Sequence, residues 1–137
     1  MTAPIGLDQV EAEHALQIEL LRGIESALLG SQRETAMKLM EQLDQFSEAH
    51  FASEQILMRL HSYPRYLEHE RQHGDLLDEL GTLRERIAGS ELVSLAQQAG
   101  SIRKWLTHHI GTSDRAFVVY LQEAAPAAIA AGPSPDA

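Results

Sequence analysis

The sequence predicts an all-α protein folded as an up-down-up-down four-helix bundle. Three observations carry that expectation. Apolar residues recur at helical spacing in four successive segments. The connections between those segments are short, which forces neighbouring helices to run antiparallel. Aromatic residues make up only 5% of the chain, which suits a core filled by Leu and Ala better than a β-sandwich.

The first helix is expected from Leu7 to Leu29, with Ile18, Leu21, Ile24 and Leu28 as its apolar stripe and Gly30 as its stop. Ser31 and Glu34 then match a capping box, in which hydroxyl and carboxylate reciprocally satisfy free N–H groups. It opens a second helix from Gln32 to about His61, apolar at Met37, Met40, Leu43, Phe46, Ile56, Leu57 and Leu60, with His50 on the same stripe. Ser62-Tyr63-Pro64 breaks it, because the residue before a proline disfavours the α region. A third helix runs from about Arg65 to Ala88 and is closed by Gly89. Gly74 and Gly81 inside it each cost about 1 kcal/mol relative to Ala, and close helix packing is the expected reason. Ser90 is expected to cap a fourth helix reaching about Ala125. One domain, residues 1–125, accounts for the folded part. The Ala/Pro-rich stretch 126–137 lacks an apolar pattern and is expected to be disordered.

Composition excludes several function classes. Lys plus Arg is 11 against 20 Asp plus Glu, a net charge of −9. A surface so anionic, without a basic stripe, is a poor partner for nucleic acid or an anionic membrane. There is no cysteine, so disulfides, Cys-type zinc sites and iron–sulfur clusters are excluded. No apolar run is long enough to span a bilayer, and the amino terminus lacks a signal-peptide pattern, so cytoplasmic residence is the expectation. No Ser-centred motif or Gly-rich phosphate loop supports nucleophilic or hydrolytic chemistry.

Seven metal-ligand residues stand out: His14, His50-x3-Glu54, His69-x3-His73 and His109-x4-Asp114. His50/Glu54 and His69/His73 are i,i+4 pairs, each projecting from one helix face. Either pair alone is more often plain surface composition. Together they lie in four helices on inward stripes, where histidines without metal would need many polar partners. Five imidazoles and two carboxylates suit two first-row metals with one position left open, and the donor set does not name the metal. His109 and Asp114 would lie about 140° apart on a regular α-helix. An irregularity of π type is therefore expected within residues 110–114, which Gly111 could ease. His61 and His108 read as surface residues.

At these residues the sequence resembles the hemerythrin family, specifically the bacterial hemerythrin-like proteins. The matching pattern is His50-Phe51-x2-Glu54 with Met58, Tyr63-Pro64 ahead of His69-x3-His73, and Trp105-x3-His109-Ile110-x3-Asp114. The 36-residue separations from His14 to His50 and from His73 to His109 match as well. The likeness covers about residues 7 to 122. It implies two iron ions with a bridging oxo or hydroxo group. His69, His73 and His109 would hold one iron, His14 and His50 the other, and Glu54 and Asp114 would bridge them. It further implies reversible binding of O2 as a hydroperoxide at the iron with the open position.

Phe51, Met58, Trp105, Leu106 and Ile110 match positions that wall the family's oxygen pocket, though ordinary core would look the same. Two departures accompany the likeness. Gln17 stands where the family commonly has Leu, and would meet bound ligand if it turns inward. Gln55 replaces a frequent Glu, and is expected outside the ligand set. By the same likeness, the family's amino-terminal arm is expected to be short here. Reversible O2 binding for sensing, delivery or storage is the leading functional expectation, more a binding protein than an enzyme. A di-iron enzyme acting on peroxide, O2 or nitric oxide is the alternative, and iron handling a third.

Overall fold

The computed structural model describes residues 7–89 and 91–130. Among them there are only helices and turns: α1 (Leu7–Leu29), α2 (Arg33–Leu60), α3 (Tyr66–Ile87), then a fourth rod in three parts. That rod is α4 (Leu92–His109), a π-helical turn (Ile110–Asp114) and α5 (Arg115–Ala130). The rods form an antiparallel ring in which α1 packs on α2 and α4, and α3 on α2 and α4. The four-helix bundle follows from the sequence as expected.

Each rod buries one stripe stepped alternately by three and four residues, the spacing that keeps one face of a 3.6-residue helix toward its partners. On α1 it is His14, Gln17, Leu21, Ile24 and Leu28, and on α3 His69, His73, Leu76, Leu80, Leu83 and Ile87. On α2 it is Ala36, Met40, Leu43, Ser47, His50, Glu54 and Met58, with Phe51 beside it. Ile56 and Leu60, expected on this stripe, are instead exposed, because they fall between its steps. The main apolar core fills the end of the bundle that holds the α1–α2 and α3–α4 connections. A smaller cluster of Met58, Tyr63, Phe117 and Leu121 fills the other end. Fully burying one Leu or Ile stabilises a fold by about 1.5–3 kcal/mol. The main core, with Leu21, Ile24, Leu43, Leu83, Ile87 and Leu95 fully buried, therefore anchors the bundle irrespective of the polar layer between the clusters.

The turns differ from expectation in an informative way. Ser31 does not cap α2. It adopts the left-handed region (φ 58°) and closes α1, with Gln32 N–H donating to Ala27 O (2.7 Å) and Ser31 N–H to Leu28 O (3.2 Å). Ser62 (φ 52°) closes α2 identically, Tyr63 N–H reaching Met58 O (2.9 Å) and Ser62 N–H reaching Arg59 O (3.1 Å). Both are Schellman motifs, and at the second the accompanying apolar contact is Tyr63 on Met58. No capping box forms, since Gln32 is the cap residue of α2 and its side chain makes no capping bond. The Tyr120 hydroxyl donates to His61 O (2.6 Å), tying α5 to the second of these turns.

Two further expectations are corrected. A Cβ on Gly74 or Gly81 would meet nothing within 4 Å, so neither permits close helix packing. Gly23 and Gly100 do face near neighbours, Leu39 Cδ1 at 3.2 Å and Glu25 Oε1 at 3.0 Å. The last helix does not stop before Pro126 but continues to Ala130, where the Ala-rich sequence favours the helix. The rest of the expected tail, residues 131–137, and the Ser90 cap lie outside the described residues.

Candidate metal centre

Between the two apolar clusters, the rods turn seven titratable side chains toward one point: His14 from α1, His50 and Glu54 from α2, His69 and His73 from α3, His109 from α4, and Asp114 from the π turn. All seven are buried, His14 the least at 8% exposed. The ligand atoms of Glu54, His69, His73, His109 and Asp114 lie within 4.8 Å of one another, as do those of His14, His50 and Glu54. The π turn accounts for the last of them. It adds one residue to the three-and-four stepping, so Asp114 rather than Ser113 faces inward, followed in step by Phe117 and Leu121.

The carboxylates divide the centre in two. Glu54 Oε1 faces His69 Nε2 (2.9 Å) and His73 Nε2 (3.0 Å), and Asp114 Oδ1 faces His69 Nε2 (2.7 Å) and His109 Nε2 (3.1 Å). The other oxygens look the opposite way. Glu54 Oε2 faces His50 Nε2 (3.4 Å) and His14 Nε2 (3.6 Å), and Asp114 Oδ2 faces His14 Nε2 (2.9 Å). One half thus gathers three imidazoles and the other two, with both carboxylates spanning them.

These distances also test whether the residues fit a metal. Two ligand atoms at right angles, each about 2.1 Å from an ion, stand about 3 Å apart. Several contacts are that short yet lack hydrogen-bond alignment, leaving Nε2 of His14, His50, His73 and His109, Glu54 Oε2 and Asp114 Oδ1 buried without a partner. Orphaned buried polar atoms are costly, and lone pairs converging on a shared cation remove the cost. The residues fit.

Electrostatics say what fills the centre when no metal does. Burial disfavours a charged His14, but the carboxylates of Asp114 and Glu54 outweigh it and raise its pKa to about 9. His69 behaves alike, burial being outweighed by Asp114 and Glu54, again to about 9. At His50 burial is again outweighed, by Glu54 and Glu13, and the ring is raised, while burial prevails at His73 and lowers it. Burial would push the Glu54 carboxyl up, yet four surrounding imidazoles hold it well below the usual range. Asp114 is also lowered, by His109, His14 and His69. Metal-free, the cluster is a proton-holding network, and a cation must displace protons to enter.

The rings are braced from behind. Phe51 stacks on His73 (4.0 Å, 13° between planes) and Trp105 on His109 (5.1 Å, 9°). His73 Nδ1 donates to Gln55 Oε1 (2.9 Å), so Gln55 supports the cluster from outside it. His50 Nδ1 donates to Glu13 Oε1 (2.6 Å), a contact that sequence reasoning missed. Glu13 carries no signal of its own, since its partner lies on another helix.

Phe51, Met58, Trp105, Leu106, Ile110 and Gln17 fall in different parts of the bundle. Phe51 and Leu106 belong to the main core, with Ile110 half-buried against it. Gln17 is fully buried on the same side, its Nε2 donating to Ser47 Oγ (3.1 Å) and its Oε1 unpartnered. Met58 sits across the titratable layer in the second cluster, because α2 crosses that layer between Phe51 and Met58. Trp105 is 38% exposed and lines an outer groove with Asp75, Asp78, Glu79 and Ile102, standing between that groove and His109. His61 and His108 are exposed, as expected.

A four-helix bundle that buries a split cluster of imidazoles and carboxylates in its middle layer defines a cation-binding bundle. Residues 5–121 match the family model described as the hemerythrin HHE cation-binding domain, so the chain belongs to the hemerythrin family. It is similar to the bacteriohemerythrin of Stenotrophomonas maltophilia strain R551-3, 27% identical over 113 residues, which cover 82% of this chain and 73% of the relative. It is likewise 24% identical to the bacteriohemerythrin of Pseudomonas aeruginosa strain PAO1, over the same shares of each chain. A buried His/Glu/Asp cluster in such a domain marks a metal-binding site, and iron is the metal the family implies. No helix among the described residues is long and apolar enough to cross a membrane.

Proposed function

We propose that the chain holds two iron ions with a bridging oxo or hydroxo group and binds O2 reversibly, for sensing, delivery or storage. The observation that carries this reading is the three-to-two division of imidazoles across two spanning carboxylates. With equal coordination numbers at two bound ions, a position would stay open on the side of His14 and His50. The iron pair, when bound, supplies two electrons that O2 takes up on binding and returns on release.

The chain's own residues do the rest. His69, His73 and His109 hold one ion, His14 and His50 the other, and Glu54 and Asp114 hold both. Phe51, Leu106 and Ile110 border the centre with apolar surface and limit water. Five neutral imidazoles and two carboxylates donate less negative charge than a carboxylate-rich shell does. They stabilise high-valent iron less and favour binding over O–O cleavage.

Gln17 favours a second reading, an enzyme acting on peroxide, O2 or nitric oxide, because it brings an unpartnered amide oxygen close to the two-histidine half. Anaerobic reduction followed by O2 exposure separates the two. Reversible binding yields an absorption band that appears with O2 and fades on deoxygenation. Rapid conversion to the ferric form with turnover of added peroxide makes it an enzyme. Substantially fewer than two irons per chain after purification rejects both.

A further inference from the structure

Two adjacent pairs of residues play matching parts on neighbouring helices. On α1, His14 enters the centre while Glu13, about 100° around the helix, reaches α2 and accepts from His50 Nδ1 at 2.6 Å. On α2, Glu54 enters the centre while Gln55 reaches α3 and accepts from His73 Nδ1 at 2.9 Å. The geometry is the same but the chemistry is not: one acceptor is a carboxylate and the other a neutral amide. The two supports also fall on opposite halves, His50 beside His14 and His73 beside His69 and His109.

We infer that Glu13 and Gln55 are positioning residues that make the two halves electronically unequal, Glu13 enriching the two-histidine half and Gln55 leaving the three-histidine half neutral. The inference rests on the two-metal reading above. An imidazole whose Nδ1–H is held by a carboxylate is a stronger donor through Nε2 and is fixed in tautomer and orientation. Hydrogen bonds to an ionised acceptor are shorter and about twice as strong as neutral ones, in line with 2.6 against 2.9 Å. The Glu13 side chain is 20% exposed and that of His50 only 1%, so the carboxylate is partly hydrated while its hydrogen bond lies at the buried edge of the ring. A more electron-rich His50 favours the higher charge state of the ion it holds. The half with fewer imidazoles thereby gains what its missing ligand would have supplied.

The test titrates metal-free wild type, Glu13→Gln and Gln55→Glu with Co(II) against a competing chelator. Glu13→Gln keeps an acceptor oxygen in place and removes only the charge. It should weaken one of two sites about tenfold or more and leave the other within about twofold. Gln55→Glu should tighten the other site instead. On the iron-loaded protein the two variants should move the ferric/ferrous potential in opposite directions, Glu13→Gln upward and Gln55→Glu downward. A tenfold change in that equilibrium reads as about 59 mV for one electron, and a purely structural support would not produce it. Two Co(II) sites in wild type with unchanged or equally weakened sites in both variants would overturn the inference alone. Fewer than two sites in wild type would overturn the two-metal reading and the inference with it. If Glu13→Gln loses its helical circular dichroism, Gln55→Glu decides by itself, and unshifted sites count against the inference.

Discussion

His109 and Asp114 stand five residues apart, yet His109 Nε2 lies 3.1 Å from Asp114 Oδ1. A regular α-helix would separate their directions by about 140°, and the π turn over residues 110–114 removes that separation. The extra residue falls in a run of weak helix formers, Gly111, Thr112 and Ser113, where Thr112 Oγ1 donates back to His108 O (2.7 Å). It is held where Asp114, Phe117 and Leu121 all gain burial by the shift.

Gly111 is dispensable for this turn. A Cβ there would meet nothing within 4 Å, and its φ is not in the left-handed region. Gly111→Ala should therefore raise the unfolding free energy by up to about 1 kcal/mol with metal capacity unchanged. Thermal unfolding and metal titration check both halves of the statement. Loss of metal in the variant would mean that the π turn does need the freedom of glycine.

Much of the fold and of the candidate site was legible because imidazoles and carboxylates continue the apolar stripes. A five-residue gap between two of them could only be reconciled by a local irregularity. The same stepping places Gln17 inward, three residues from His14 and four from Leu21, which inspection of Gln17 by itself leaves open. Periodicity fixes a face but not a level in the bundle. Met58 shares a face with Glu54, yet lies on the far side of the titratable layer from Phe51. Glu13 was illegible for a different reason: its role exists only through His50 on another helix. Ser31 misled because the same residue type serves an N-cap and a left-handed C-terminal turn, and only the backbone distinguishes them.

Both left-handed serines are suboptimal for their conformation. An L-residue there costs about 1–2 kcal/mol, whereas glycine bears no such strain. Ser31→Gly and Ser62→Gly should each stabilise the bundle by about 1 kcal/mol, raising the melting temperature by roughly 3–5 °C. Their effects should add, since the turns lie at opposite ends of the bundle. Calorimetry of the single and double variants is the measurement, and a destabilised Ser31→Gly would show that the hydroxyl matters more than the backbone strain.

Stability of the metal-free protein should depend on pH in a definite sense. His14 and His69 are raised from 6.5 to about 9, so their contribution is complete below pH 6.5 and disappears as pH climbs through 9. Glu54 and Asp114 are lowered, so theirs is present above pH 4.5 and fades under acid below that point. The chelated bundle should soften as pH climbs from 6.5 toward 9 and again under acid below about 4.5, the lowered His73 working against stability as pH falls below 6.5. Metal competes with the same protons and gains affinity over that upper window. The gap between loaded and chelated melting temperatures should widen from pH 6.5 to 9, and a chelated curve flat over that range would refute the proton-holding cluster.

Gln17 supplies the sharpest single substitution. Its Nε2 is satisfied by Ser47 Oγ, but its Oε1 is buried with no partner, one helical turn from His14 and beside the His50 turn of α2. A buried polar atom left unpaired costs about 1–3 kcal/mol, and replacing both members of a polar pair by apolar groups is near neutral or stabilising. Gln17→Leu combined with Ser47→Ala should therefore raise the melting temperature of the metal-free protein or leave it unchanged. In the loaded protein, Gln17→Leu removes a polar anchor near the open side and should slow autoxidation several-fold after O2 exposure. Stabilisation without any change in autoxidation would reduce Gln17 to a buried polar residue with no part in ligand handling. Slower autoxidation with lost peroxide turnover would instead tie it to the enzyme reading, because the same amide oxygen that destabilises bound O2 would be the one that accepts a hydrogen bond from a protonated substrate.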